Sequence, residues 1–176
     1  MEKVLFQEEQ RFNQWWMWLI IGSTIACVAI PFGVGIYNQK VLNRPFGDNP
    51  MSTEGLIVTG LSLLLLLAFV FFIVMRLKLR TKITSEKLYV SFPPLVRKWK
   101  IIKPEEIASY AVRQYKPNWE YGGYGIKRRR KYGSAWIVSG RTGLQLQLIN
   151  GKKFLIGTQK QQAIEYAMHK LMKEEE

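Results

Sequence analysis

Residues 55–83 read GLIVTGLSLLLLLAFVFFIVMRLKLRTKI, and the change of pattern inside this stretch decides the fold. Gly55 to Met75 is 21 residues without a charge. At a helical rise of about 1.5 Å per residue that run crosses a hydrocarbon layer about 30 Å thick. From Arg76 to Ile83 the pattern switches to charged and less polar residues in alternation, the period of a half-buried strand. The stretch therefore predicts a membrane helix that passes directly into the first strand of a soluble β domain. Arg76, Lys78, Arg80 and Lys82 become membrane-proximal cations, whose first role is to set topology rather than to bind one lipid.

Upstream, Trp15–Tyr37 is a second uncharged run, 23 residues long, with Trp15, Trp16 and Trp18 at one end and Tyr37 at the other. Aromatic residues at both ends suit the two membrane interfaces. Pro31 is expected to kink this helix. Gly22 and Ala26 form a small-xxx-small pair through which the second span could approach, although the motif is common in membrane helices. Ser23, Thr24, Thr59 and Ser62 are expected to bond to their own backbones. Residues 1–14 read as a polar segment without a signal-peptide pattern, and residues 38–54 as a polar connection. Lys3 and Arg11 before the first span, with four cations after the second, place both termini in the cytoplasm and residues 38–54 outside.

Downstream, residues 76–176 form one soluble domain with seven short strands and one helix expected. The strands fall at about 76–83, 88–92, 97–102, 107–116, 135–139, 144–149 and 153–156. Residues 117–133 are expected to be a loop. Asn150-Gly151 predicts a two-residue type I′ turn. Thr158 with Gln161 predicts a capping box, and Ile164, Ala167, Met168 and Leu171 mark the buried face of a closing helix. Glu174–Glu176 reads as a frayed tail.

Charge is concentrated in this domain. Residues 1–75 hold 4 Lys/Arg against 5 acids, whereas residues 76–176 hold 22 against 8, a net of +14. Such a surface seeks anions: phospholipid headgroups, nucleic acid or an acidic protein. With one cysteine, Cys27, and one histidine, His169, the chain has no material for a disulfide, a zinc site or a histidine triad. No charge lies within either span, which argues against a proton or ion path. No catalytic, cofactor or metal site is expected.

Seven strands closed by one amphipathic helix is the layout of a pleckstrin-homology barrel. The wording agrees over Trp119-Glu120-Tyr121-Gly122-Gly123-Tyr124-Gly125-Ile126, Ser134-Ala135-Trp136, Gly140-x-x-Gly143, Asn150-Gly151-Lys152-Lys153 and Leu155-Ile156-Gly157-Thr158-Gln159. In these residues the chain resembles the membrane-anchored bacterial PH-like proteins. The resemblance implies a helical hairpin in the bacterial inner membrane carrying one cytoplasmic PH-like domain, an α+β fold. It supplies no catalytic residues. Lys127-Arg128-Arg129-Arg130-Lys131 is more basic than the family pattern.

That run, with Trp119, Tyr121 and Tyr124, is the sharpest candidate site. Facing a membrane, the aromatic rings would sit at the interface and each cation would contribute about 1 kcal/mol toward an anionic leaflet. The plain alternative is a solvated charge run on a glycine-rich turn. Basic and aromatic residues together also bind single-stranded nucleic acid, a reading disfavoured because charge alone is unspecific. The expected function is a non-enzymatic scaffold or adaptor that meets anionic lipid or a protein partner, a second copy included. The alternative is an accessory subunit that uses its helix hairpin as an interface. An enzyme is a distant third.

Overall fold

The computed structural model describes residues 3–13 and 15–173; Gln14 and the Glu174–Glu176 tail lie outside the described residues. The chain divides into two compact units. One consists of residues 13–75; the other joins the residues up to Phe12 with those from Arg76 onward.

The first unit is a helix pair, α1 (Trp15–Lys40) and α2 (Thr53–Arg76). Both are long and apolar enough to cross a membrane, and almost none of either is buried within the protein, unlike the core helix of a globular domain. The helices meet at Gly60, where a side chain would collide with the Phe32 ring, and at Gly35, which lies against Phe46 and Leu56. Trp18 and Phe71 add an edge-to-face contact at 5.6 Å. Gly22 of the expected Gly22–Ala26 pair has nothing within 4 Å, so this glycine takes no part in the contact. The reason is steric: Phe32 needs a glycine opposite, and Gly60 supplies it. Ser23 and Thr24 bond the Ile20 carbonyl as expected, whereas the Thr59 hydroxyl turns to Met51 Sδ.

The second unit is an α+β assembly of two sheets and a closing helix. β1 (Val4–Arg11), β2 (Lys78–Thr84), β3 (Leu88–Phe92) and β4 (Val96–Ile102) form an antiparallel sheet in sequential order. The second sheet has the order β5-β8-β9-β7-β6. Its strands are β5 (Ile107–Gln114), β6 (Gly125–Arg129), β7 (Gly133–Ile137), β8 (Thr142–Leu148) and β9 (Lys153–Gly157). The expected seven-stranded barrel is thus replaced by separate sheets of four and five strands. The two additional strands are β1, within the expected polar segment, and β6, within the expected 117–133 loop.

Both escape a hydrophobicity reading for a physical reason. In β1 the inward positions are Phe6, Glu8 and Gln10, so two of the three buried side chains are polar. Their partners are distant in sequence: Glu8 accepts from the Thr158 hydroxyl (2.7 Å) and the Gln159 N–H (2.9 Å), and the Gln10 amide nitrogen donates to the Gly157 carbonyl (2.7 Å), while Gln10 Oε1 is buried without a partner among the described residues. β6 is an edge strand that is largely exposed and needs no apolar face.

Aromatic rings join the sheets. Phe12 lies 6.5 Å from Phe92, Phe92 lies 6.2 Å from Trp136, and Trp136 lies 5.4 Å from Phe154. α3 (Gln161–Lys173) buries Ile164, Ala167, Met168 and Leu171, the face its spacing predicts. Its entry differs from the expected capping box: the Thr158 hydroxyl donates to Glu8 and accepts from the Lys160 N–H. The carboxylate from β1 has recruited it.

Candidate functional site: a basic cleft between two turns

The cleft is a product of strand pairing. β7 and β9 run parallel, with Ser134 opposite Phe154. Parallel pairing aligns the starts of the two strands, so the turns that precede them lie side by side. One is the β6–β7 turn, which carries Arg130 and Lys131; the other is the β8–β9 turn, which ends on Lys152. Gly133 makes the approach feasible. Its φ is +84°, and a Cβ there would run into the Lys153 carbonyl.

The β8–β9 turn is not the type I′ turn expected from Asn150-Gly151. Gly151 donates to the Leu148 carbonyl (2.9 Å) and Leu148 to the Lys152 carbonyl (2.9 Å), which encloses three residues. Gly151 alone takes a positive φ, +75°, and Asn150 Oδ1 instead accepts the Lys152 N–H at 3.1 Å. The asparagine side chain thereby holds the cation-bearing end of the turn.

Between the turns lies an open concavity with a cavity volume of about 480 Å³. It is lined by Arg128, Arg129, Arg130, Lys131, Lys152 and Lys153, with Gly133, Ser134 and Gly151. Among the described residues none of these cations pairs with a carboxylate. The Arg129 guanidinium rests against Gly122, and Lys131 Nζ lies 5.5 Å from the Tyr132 ring centre. Beside the cleft, Lys100 Nζ sits 3.9 Å from the Phe154 ring centre. Burial of that ammonium and then repulsion from Lys152 lower its pKa.

The expected site residues thus separate. Arg128, Arg129, Arg130 and Lys131 come together, and Lys127 lies on β6 opposite Ala135, outside the cleft lining. Trp119 is 88 % exposed on the helical turn Pro117–Tyr121, away from the lining. Tyr121 cannot serve as an interfacial ring. It is 1 % exposed, in a core cluster with Tyr115, Ala135, Ile137 and Leu155, and burial raises the pKa of its hydroxyl. Tyr124 packs half-buried against the same cluster. Lys152 and Lys153 were the missed members. Two cations directly after Asn-Gly are a visible signal, but only the β7–β9 pairing brings them to the run at 128–131.

The membrane-proximal set is arranged differently. Arg76 ends α2, while Lys78 and Arg80 bind Glu9 of β1 at 3.2 and 3.0 Å. Arg11 reaches the same carboxylate at 2.7 Å. Lys82 Nζ lies 5.8 Å from the Tyr89 ring centre. The hydrogen bond from Arg11, reinforced by Lys78 and Arg80 against a smaller desolvation cost, lowers the Glu9 pKa to about 2.

A second hollow, about 310 Å³, shares Lys153 and is lined also by Arg113, Glu120, Tyr132, Gln145 and Gln147. Here the cation is paired: Arg113 Nη2 lies 2.8 Å from Glu120 Oε2 and bonds Gln145 Oε1 at 3.1 Å. Burial is the largest single influence and opposes ionisation of both charged groups, but their mutual hydrogen bond, their charge attraction and smaller neighbouring contributions together outweigh it, so the carboxyl pKa falls and the guanidinium pKa rises. No group of three potential metal ligands exists among the described residues. No protein-family model matches the chain, and no curated protein matches its sequence.

Proposed function

We propose that this chain is a non-enzymatic adaptor of the bacterial cytoplasmic membrane. α1 and α2 are its two-span anchor, and both termini lie in the cytoplasm. The basic unit, related to PH-like domains, presents its cleft to anionic lipid headgroups or an acidic protein. The observation that carries this reading is the set of six cleft cations without carboxylate partners among the described residues, in a unit whose chain continues into two apolar helices. Only Leu77 separates α2 from β2, which favours a unit held close to headgroups. A four-stranded antiparallel sheet, a second sheet stacked on it by aromatic rings and a closing helix support the PH-like relation. The cations that follow α2 support the topology.

The test uses the full chain in phosphatidylcholine nanodiscs. It is expected to co-sediment with vesicles rich in phosphatidylglycerol, and not with neutral vesicles, at about 0.15 M salt, and to release as salt rises. Indifference to vesicle charge sinks the anion-reading function. Release of the protein from cell membranes by alkaline carbonate sinks the anchor.

A second reading, an accessory subunit that uses the helix pair as its interface, draws on one observation. The α1–α2 contact consumes Gly35 and Gly60 but leaves Gly22 and Gly33 with nothing within 4 Å. Small residues on an uncovered helix face suit close packing against another span. Gly22→Leu is expected to change the oligomeric state or co-purifying partners in detergent; unaltered profiles reject this reading.

A further inference from the structure

We propose that the free edge of β4 is a docking site for an extended segment of a partner protein, one that alternates acidic and apolar residues and adds to the first sheet as a further strand. The site lies outside the cleft lining and does not rest on the adaptor reading.

Three observations support it. The first is the open edge. The strands that end the two sheets are β1, β4, β5 and β6. α3 packs against β1 and β5, and the helical turn Pro117–Tyr121 packs against β6. β4 keeps β3 as its principal neighbour. An uncovered edge presents a row of backbone N–H and C=O groups that an incoming strand can pair. The second is apolar exposure. From Arg97 to Ile101 every residue of β4 is exposed, unlike the alternation along β2. Trp99 is 44 % exposed and Ile101 50 %. Both share the face that holds Tyr89, whose ring meets Trp99 edge to face at 6.2 Å and whose backbone is in register with Ile101. Apolar side chains of an added strand would cover this strip.

The third is charge. Arg97, Lys98 and Lys100 lie on the same strand, and none pairs with a carboxylate among the described residues. Lys100 turns to the face opposite Trp99, where its ammonium sits 3.9 Å from the Phe154 ring centre. The complement of such a strand has a period of two, with apolar residues toward Trp99 and Ile101 and acids toward the lysines. The same cations exclude a second copy of this chain, because two β4 edges paired together would set cation against cation. Cations alone suffice to keep an edge from pairing with itself. The tryptophan and isoleucine beside them add an apolar area that only a different partner covers.

The test uses the full chain in phosphatidylcholine nanodiscs at about 0.15 M salt. Hydrogen exchange is followed with a short synthetic peptide of alternating glutamate and valine, and with two controls. One control has the same residues in two blocks, and the other has alternate backbone nitrogens methylated. The alternating peptide is expected to slow exchange over residues 97–101 by about tenfold or more and to bind at least about tenfold tighter than either control. Trp99→Ala is expected to weaken binding about tenfold at unchanged melting temperature. Lys98→Glu with Lys100→Glu is expected to transfer the preference to a peptide of alternating lysine and valine. Equal binding of all three peptides, or protection confined to the turns at residues 130–131 and 150–152, overturns the β4 site and leaves the adaptor reading standing. Protection of β4 that rises with protein concentration in the absence of peptide means self-pairing and overturns the acidic partner. No protection of β4 by any peptide overturns the site outright. The wild-type exchange pattern decides the matter even if a variant fails to fold.

Discussion

Two of the chain's basic stretches, Arg76–Lys82 and Lys127–Lys131, reach opposite ends. The first alternates, and its strand presents Lys78 and Arg80 to one carboxylate, Glu9, on the neighbouring strand. The second is a continuous run, and no described acid approaches its members. Alternation places every other side chain on one face of a sheet, where a cross-strand partner can neutralise it. A continuous run on an edge strand and its turn spreads charge over both faces, beyond the reach of any single acid. Cations of the first kind act within the fold, and those of the second kind are available to a ligand.

Four substitutions test this contrast on the full chain in mild detergent, with denaturant unfolding followed by near-UV dichroism. Gly133→Ala should have the largest effect, about 3 kcal/mol of destabilisation, from positive-φ strain and collision with the Lys153 backbone. An unchanged midpoint would mean that the two turns are not locked together. Glu8→Ala should cost about 2 kcal/mol, because the Thr158 hydroxyl and the Gln159 N–H lose their acceptor in a buried setting. A loss below about 0.5 kcal/mol would detach β1 from the entry to α3.

Glu9→Gln should cost about 1 kcal/mol at pH 7, a value reduced for the solvent that reaches this carboxylate. The folded pKa is lowered from 4.5 to about 2, so the Glu9 contribution is complete above about pH 4.5 and lost as pH falls toward 2. Wild type and variant should therefore converge in acid; a constant gap would contradict the ion-pair account. Arg130→Gln with Lys131→Gln should change stability by less than about 0.5 kcal/mol, since neither cation has a carboxylate partner among the described residues. A loss comparable to that of Glu9→Gln would erase the distinction between the two stretches.

The elements differ in legibility for the same kind of reason. α3 announces itself because Ile164, Ala167, Met168 and Leu171 repeat at helical spacing and all four are buried. β3, at Leu88–Phe92, lies where the turn and proline signals around it predict. β1 does not announce itself, because Glu8 and Gln10 point inward and their partners lie about 150 residues away in sequence. Tyr121 of the expected site escapes a sequence reading in a similar way. Trp119 and Tyr121 are two positions apart, yet the helical turn leaves one exposed and inserts the other into the core.

By itself the sequence determined the two apolar helices, the α+β character of the remainder, the concentration of positive charge after residue 76 and the closing helix. Each is local: run length, periodicity and composition act over a few turns or one strand. Only the tertiary structure decided that the N-terminal segment pairs with β2, that the strands form two sheets, and that Lys152 and Lys153 join Arg128–Lys131 around one cleft. These features depend on which strand lies beside which. Pairing across long separations is set by the summed burial of both sheets and by side-chain partners distant in sequence, and no window along the chain contains that information.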